Sequence, residues 1–364
     1  MKFFLTNFFS LIVICLISLN SKAQKIDPAP LDAYWNLIEP LKLGDSLSVK
    51  TWKEFLEIEP NKIYINNQAF NNSYLERLRK AIQVVYMPKY ESVLTARIAA
   101  IKLDTASYWM TYKVYEYKKY EKELKAYEKE LLDPAYIDSI YKNTFEWLPK
   151  RLQQKDTSVK IHLLGIENDA IAGDGIIIAT LWQMYNQDKL KMAMLVGHEM
   201  HHVLRKPLNF KAVQDNDKGL IYVLNAILNE GSADMIDKVL NIAHDAELPL
   251  GVRYKNFELD GADSIVKVIN QNILEMAQSG GLNFKTEKEY RNLVRWSSGH
   301  CPGYYMADII VQNGYKKQLL KNIQNPFQFV YLYNKAAKKD AKKPPVFSKI
   351  SINYVRMMEK KYYL

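Results

Sequence analysis

Residues 190–204 read LKMAMLVGHEMHHVL, and this stretch decides which fold the chain predicts. The pattern is typical of a helix whose apolar side carries Met194, Leu195, His198 and His202. His198 and His202 are four residues apart, so their side chains lie one above the other on the same helix face. Two inward-facing histidines are costly to bury without a partner, and one metal ion bound by both rings would be that partner.

Glu199 completes the motif HExxH, in which a glutamate lies beside the metal and handles a water molecule bound to it. This spacing is the helix signature of zinc peptidases. The alternative is an ordinary helix with two surface histidines, but the chain has only six histidines. A chance match is expected in roughly one such sequence in a hundred. His201 lies about 100° around the helix from His202 and is predicted to face the surroundings of the metal or the solvent.

A second helical pattern covers residues 220–234 and ends in Asn229, Glu230, Ala233 and Asp234. These four residues resemble the second signature of the gluzincin class of zinc metallopeptidases, Asn-Glu-x-x-(Ser/Ala)-Asp, whose best-known members are thermolysin-like. The resemblance implies that Glu230 is the third zinc ligand and that Asp234 is a carboxylate behind the metal ligands. The spacing agrees, because Glu230 and Asp234 share a helix face and one can bind metal while the other accepts a histidine N–H. The alternative is a polar helix turn with two solvated acids.

Residues 298–307 read SGHCPGYYMA and predict a loop that opens a further helix. Gluzincins that resemble thermolysin place a late histidine or tyrosine over the metal, where it stabilises the oxyanion. His300, Tyr304 and Tyr305 are the candidates that this resemblance implies. The alternative is a helix start with one hydrogen-bonded histidine and two packing tyrosines.

Strand patterns precede the HExxH helix. Residues 159–164 alternate as a strand, and residues 175–179 predict another. Residues 168–173 between them resemble the edge strand on which zincin peptidases lay an extended substrate, with Ala170 and Ala172 as the predicted substrate contacts. The alternative is a plain connection between the two strands.

The resemblance covers about residues 159–311 and is closest to bacterial secreted zinc-dependent peptidases of uncharacterised family. The interval from His202 to Glu230 is longer than in thermolysin, and no acid clusters like its calcium sites are evident. It implies an α+β fold, predominantly α, with a zincin-like catalytic core, a small sheet and two metal-bearing helices. It also implies one Zn²⁺, a peptide or protein substrate, and hydrolysis with Glu199 as general base. Two alternatives stay open: a zinc hydrolase of a non-peptide or cell-wall bond, and a non-catalytic metal-stabilised binding protein.

Residues 1–23 have the pattern of a signal peptide. Lys2 is the positive end, residues 3–19 are apolar, and the predicted cleavage lies between Ala23 and Gln24. We expect a secreted or periplasmic protein. No second stretch approaches the length of a membrane span, so no stable membrane insertion is expected after cleavage.

Two lobes are predicted in the mature chain. Residues 24–155 have helical patterns, including one long helix near residues 107–132 with a continuous apolar seam. Residues 156–364 form the predicted zincin-like lobe, which ends in C-terminal helices. The sequence carries no signal for an oligomeric state.

Charge and cysteine content argue against a nucleic-acid partner and against an internal disulfide. Removing Lys2 and Lys22 with the signal lowers the net charge from +10 to +8, and the excess lysines are spread without a nucleic-acid-binding motif. No nucleic-acid partner is expected. Cys301 is the only cysteine of the mature chain, which excludes an internal disulfide. A Cys301–His300 nucleophile pair is the alternative chemistry, but nothing in the sequence completes a triad.

Overall fold

The computed structural model describes residues 24–103, 107–208, 210, 212–294 and 298–363, and the predicted signal peptide lies outside these residues. Within them, helices dominate and four short strands form one sheet. The prediction of an α+β fold that is predominantly α is therefore confirmed. No helix of the described residues combines the length and the apolar run that a membrane crossing needs.

The sheet consists of β1 (Ile26–Asp27), β2 (Lys160–Leu164), β3 (Ala170–Gly173) and β4 (Ile176–Thr180), in the order β1-β2-β4-β3. The β1, β2 and β4 strands run parallel, and β3 pairs antiparallel with β4 at the edge. The apolar run of β4 is buried over most of its length, as expected of a strand between two neighbours. All three strands predicted before the HExxH helix are present.

Eight helices lie between β1 and β2 in the described part of the chain. They are α1 (Ala29–Lys42), α2 (Val49–Leu56), α3 (Glu59–Asn67), α4 (Asn72–Tyr86), α5 (Glu91–Leu103), α6 (Trp109–Lys119), α7 (Glu121–Leu131) and α8 (Pro134–Phe145). Side-chain caps begin several of them: Asp133, for example, accepts a hydrogen bond from the Ala135 N–H, with Pro134 in the first turn.

The single long helix predicted near residues 107–132 is wrong, because the helix breaks at Tyr120 into α6 and α7. Tyr120 has φ −111° and ψ 23°, and its ring packs 5.3 Å from the Trp182 ring, between centroids. The helix therefore breaks at a residue whose ring contacts a distant part of the chain. The predicted apolar seam is nonetheless buried across both helices, at Val114, Tyr117, Leu124, Tyr127 and Leu131.

The C-terminal half is almost entirely helical. Its helices are α9 (Leu181–Asp188), α10 (Met194–Arg205), α11 (Asp215–Ala243), α12 (Lys255–Leu259), α13 (Ala262–Gln278), α14 (Glu287–Leu293), α15 (His300–Gln312), α16 (Lys316–Lys321), α17 (Pro326–Ala337) and α18 (Lys349–Tyr362). The HExxH motif is on α10, and the second predicted motif is on α11.

Two apolar cores lie on either side of α10. The first core contains side chains of the N-terminal helices, the sheet, and Leu195 and Met200 of α10. The second contains α11, α13, α15, α17 and α18, together with Met194 of α10. The predicted boundary at residue 155 stays a prediction, and residues on both sides of it share the first core.

Backbone contact between α11 and α15 brings the C-terminal half to the site. A methyl group on Gly231 would overlap the carbonyl group of Gly303, and one on Gly303 would lie 2.5 Å from the Ile227 oxygen. Only glycine lets the two helices approach this closely. The crossing holds residue 230 of α11 beside residue 300, the first residue of α15.

Candidate metal centre

Three side chains meet at the predicted metal site. The Nε2 atoms of His198 and His202 are 3.0 Å apart, as expected from their i, i+4 spacing on α10. Oε2 of Glu230 lies 3.2 Å from Nε2 of His202 and 3.8 Å from Nε2 of His198. Ligand atoms around a tetrahedral zinc ion are about 3.3 Å apart, given Zn–N bonds of about 2.0 Å. The three groups therefore fit one zinc ion.

Glu230 is held in the ionised form that binds metal. Burial raises its pKa, but His202 and His300 outweigh burial and leave the pKa well below the usual range. Its second oxygen, Oε1, accepts a hydrogen bond of 2.9 Å from Asn229 Nδ2. Asn229 Oδ1 in turn accepts one of 2.9 Å from the buried guanidinium of Arg205. This chain of hydrogen bonds directs Oε2 of Glu230 towards the two histidines.

Two carboxylates, Asp234 and Asp237, lie behind the site, and only Asp234 was predicted. Asp234 Oδ1 is 2.8 Å from Nδ1 of His300 and 3.7 Å from Nδ1 of His198. The closer partner of His198 is Asp237, whose Oδ1 is 3.0 Å from the same Nδ1 atom. A proton on Nδ1 shared with Asp237 leaves Nε2 of His198 free to bind metal. Residues 230, 234 and 237 follow the i, i+4, i+7 spacing of one helix face, a signal by which Asp237 could have been found.

Asp237 also forms a buried ion pair with Lys238, whose Nζ is 2.6 Å from its Oδ2. Burial raises the pKa of Asp237, but Lys238 and His198 outweigh burial and lower it far below the usual range. Lys238 itself lies over the ring of Tyr254, 4.4 Å from its centroid. The Asp237 carboxylate is therefore ionised and fixed from two sides.

His300 is the oxyanion candidate whose ring reaches the candidate metal ligands. Its Nε2 lies 3.3 Å from Oε2 of Glu230. Burial lowers its pKa, but Asp234 and Glu230 outweigh burial and raise the pKa of His300 to about 10, so the ring is a donor at both nitrogens.

The two tyrosines are placed differently. Tyr304 is buried in the second core, and Tyr305 packs against Tyr333 with 6.5 Å between ring centroids. Neither tyrosine lines the cavity at the metal site, among the residues that the structure describes. The geometry favours His300 over both. His198, Asp234 and His300 also cluster closely enough to hold a metal ion, but Asp234 does not line the cavity.

A cavity of about 890 Å³ opens above the three metal-site residues. Glu199 lines it and is 6% exposed. Burial raises the pKa of Glu199, and the two histidines, His198 and His202, act in the opposite direction. The cavity also reaches Gln68 and Trp109, so the N-terminal helices contribute to its walls.

The edge strand β3 forms one side of this cavity, with Ala170 and Ala172 among the lining residues. The Thr180 N–H donates a hydrogen bond of 3.1 Å to the main-chain oxygen of Asp169, so residues 169 and 180 are a hydrogen-bonded pair of the two strands. Hydrogen-bonded and non-hydrogen-bonded pairs alternate, so the main-chain groups of residues 170 and 172 point away from β4. The Ala170 N–H is taken by the Asp169 carboxylate at 2.9 Å. The N–H and C=O of Ala172 and the C=O of Ala170 are left at the open edge.

The comparison with known families agrees with this site. The chain belongs to the family described as "Putative zinc dependent peptidase (DUF5700)", which matches residues 52–342. No curated protein and no solved structure matches the chain. The match extends well before residue 159, so most of the N-terminal helices belong to the family along with the metal site. Membership of this family points to zinc and to peptidase chemistry, and the gluzincin class remains a resemblance.

Proposed function

We propose that this protein is a peptidase in which His198, His202 and Glu230 hold one Zn²⁺ and Glu199 acts as general base. The observation that carries the proposal is the convergence of the three ligand atoms, 3.0 to 3.8 Å apart, at the floor of a cavity that Glu199 also lines.

A zinc ion in such a site supplies charge that lowers the pKa of a water molecule and polarises a carbonyl group. Glu199 takes a proton from the attacking water and later passes it to the leaving amine. Burial raises the pKa of Glu199, which favours its taking up the proton. His300 donates a hydrogen bond from Nε2 to the carbonyl oxygen as negative charge develops there. Asp234 holds the His300 ring in place through Nδ1.

The substrate would lie as an extended strand along the open edge of β3. Ala172 offers both main-chain groups and Ala170 its carbonyl, so the peptide would pair as an additional antiparallel or parallel strand. Two small side chains at these positions leave room for the substrate above the sheet edge. We therefore propose Ala170 and Ala172 as substrate contacts through their main chains.

The test compares Glu199→Gln with Glu130→Gln, an exposed glutamate on α7. Both variants and the wild type are analysed for zinc by elemental analysis and then incubated with a peptide library, with and without chelator. We expect all three to contain one zinc ion and Glu199→Gln to lose at least about a hundredfold of the hydrolytic rate. Equal rates for Glu199→Gln and the wild type would refute the general-base role. Absence of hydrolysis in the zinc-loaded wild type would leave the non-peptide hydrolase and the binding protein as the remaining functions.

The ligand set is tested separately with His202→Ala and the control His244→Ala, a partly exposed histidine outside the metal cavity. We expect zinc to be lost only from His202→Ala, with lower thermal stability, because metal binding is coupled to folding. Retention of zinc in His202→Ala would show that the ligand set is wrong.

We also propose that the protein acts outside the cytoplasm after removal of residues 1–23. The support is the signal-peptide pattern of the sequence alone. N-terminal sequencing of protein from the periplasm and the medium should begin at Gln24. An intact Met1 would contradict removal of residues 1–23, and protein found in the cytoplasm alone would contradict export.

A further inference from the structure

A second cavity, of about 870 Å³, begins where the metal cavity ends. The two share Asn229, Glu230 and Ser298 as lining residues, so the cavities adjoin at the position of Glu230. A ligand long enough to extend beyond the metal site would therefore meet the second cavity next.

One face of α11 forms a wall of this second cavity. The residues involved are spaced i, i+3, i+4, i+7, i+8 and i+11, which places them in one row along the helix. They are Lys218, Ile221, Tyr222, Asn225, Ala226 and Asn229. At 1.5 Å per residue, the row is about 16 Å long. We call this cavity the α11 groove.

The opposite wall of the α11 groove is apolar. It is formed by Leu208, Phe210 and Val213 from the segment between α10 and α11. Together with Ile221 and Ala226, these side chains offer carbon surface to a ligand over most of the groove. Lys218 is at the end of the row farthest from Glu230.

Two buried polar atoms among the residues that line the groove have no hydrogen-bond partner in the described part of the chain. One is Nε of Arg205, a side chain that is 1% exposed, and the other is Oδ1 of Asn225. Buried donors and acceptors without partners are costly, so such pairs of atoms are usually satisfied by a ligand or by water. Both atoms are themselves buried, so a peptide in the groove pairs with them only after the surrounding side chains shift.

We propose that the α11 groove binds an extended segment of the peptide substrate on one side of the scissile bond and receives its bulky apolar side chains. This inference rests on the proposed function and names its substrate class. An extended chain rises about 3.3 Å per residue, so the groove holds roughly five residues. Substrates are peptides with leucine- or phenylalanine-sized residues within this distance of the cleavage point.

The experiment measures binding apart from hydrolysis, with zinc-loaded Glu199→Gln and two fluorescein-labelled decapeptides. One decapeptide contains leucine and phenylalanine, and in the other these residues are serine. We expect the apolar peptide to bind at least about tenfold more tightly, because burying one such side chain is worth at least that factor. Equal affinity for the two peptides would overturn the proposal.

The groove itself is probed with Val213→Asp and the matched control Val268→Asp, each in the Glu199→Gln background. Val213 is a half-buried wall residue, and Val268 is exposed on α13, outside the groove. We expect Val213→Asp to abolish the preference for the apolar peptide and Val268→Asp to keep it. If the two variants showed the same preference for the apolar peptide, the assignment of the groove would be overturned. If Val213→Asp does not fold, the affinities of Glu199→Gln for the apolar and the serine peptide still test the proposal.

Mapping of cleavage sites with the wild type separates this inference from the proposed function. Cleavage without an apolar preference would overturn the groove as a substrate site and leave the peptidase intact. Discrimination between the two peptides without any hydrolysis would overturn the peptidase and leave the groove as a peptide-binding site.

Discussion

Nδ1 of His198 lies 3.0 Å from Oδ1 of Asp237, which follows Glu230 by two turns of the same helix. Helix α11 therefore provides both the proposed third ligand and the carboxylate that orients the first histidine. The position of α11 relative to α10 fixes the rotation of the His198 ring.

Asp237→Asn keeps the shape of the side chain and removes its charge. We expect zinc affinity to fall about 10- to 100-fold, the usual effect of losing the partner of a metal-binding histidine. Zinc competition with a chromophoric chelator measures this change. Lys238 also loses its buried partner, so urea unfolding of the metal-free variant should show lower stability. Asp263→Asn, a partly exposed acid on α13, is the control, and equal zinc affinity in both variants would contradict the role of Asp237.

Asn229→Ala removes the hydrogen bond to Oε1 of Glu230 and leaves the guanidinium of Arg205 with one partner fewer. We expect zinc affinity to fall about tenfold or more, because Glu230 can rotate away from the histidines. The exposed residue Asn353 provides the control Asn353→Ala. The same chelator competition applies, and an Asn229→Ala protein with wild-type affinity would show that Glu230 needs no such orientation.

Gly303→Ala places a methyl group against the backbone of α11 near Ile227 and Gly231. We expect a loss of about 1–3 kcal/mol in the free energy of unfolding, as for other overpacked contacts. Displacement of α15 would also move His300 from Asp234 and reduce hydrolysis. Gly173→Ala is the control for stability, because no atom lies within 4 Å of an added methyl group there. Equal unfolding curves for the two variants would mean that the helices adjust without cost.

Asp188 gives the folded state a pH dependence that does not involve the metal site. Its carboxylate accepts hydrogen bonds from Tyr127, Tyr136 and the Ala193 N–H, yet burial dominates and raises its pKa to about 7. The protonated form is favoured in the folded state. The stability that Asp188 contributes is therefore full below about pH 4, the unfolded pKa, and is lost as the pH rises through about 7.

Urea unfolding at pH 4.5, 6 and 8 tests this with wild type and Asp188→Asn. We expect the wild type to lose stability relative to the variant across this range, on the order of a few kcal/mol. Asp45→Asn, at an exposed position, should follow the wild type at each pH. A constant difference between wild type and Asp188→Asn would contradict the raised pKa.

The features that the sequence predicted correctly depend on local spacing. The distance from His198 to His202 along a helix is set by four residues, and the strands follow from short apolar runs. The convergence of Glu230 with them came from resemblance to a known motif. Asp237 was missed although its spacing from Glu230 was visible in the sequence.

Contacts between distant segments account for the features that the sequence did not predict. The break at Tyr120 accompanies packing against Trp182, which lies more than sixty residues later in the chain. The bonds from Arg205 through Asn229 to Glu230 depend on how α10 and α11 pack. Tyr304 is one helical turn from His300, but its side chain is buried in the second core.

The position of α10 between the two apolar cores has a consequence for how the protein unfolds. The histidines at positions 198 and 202 belong to a helix shared by both cores, whereas Glu230 belongs to the second core's α11. A zinc ion bound by all three, as proposed, would act as a cross-link between the two halves of the molecule. Its removal should weaken their cooperativity, so that amide exchange accelerates first along the junction and melting separates into two transitions.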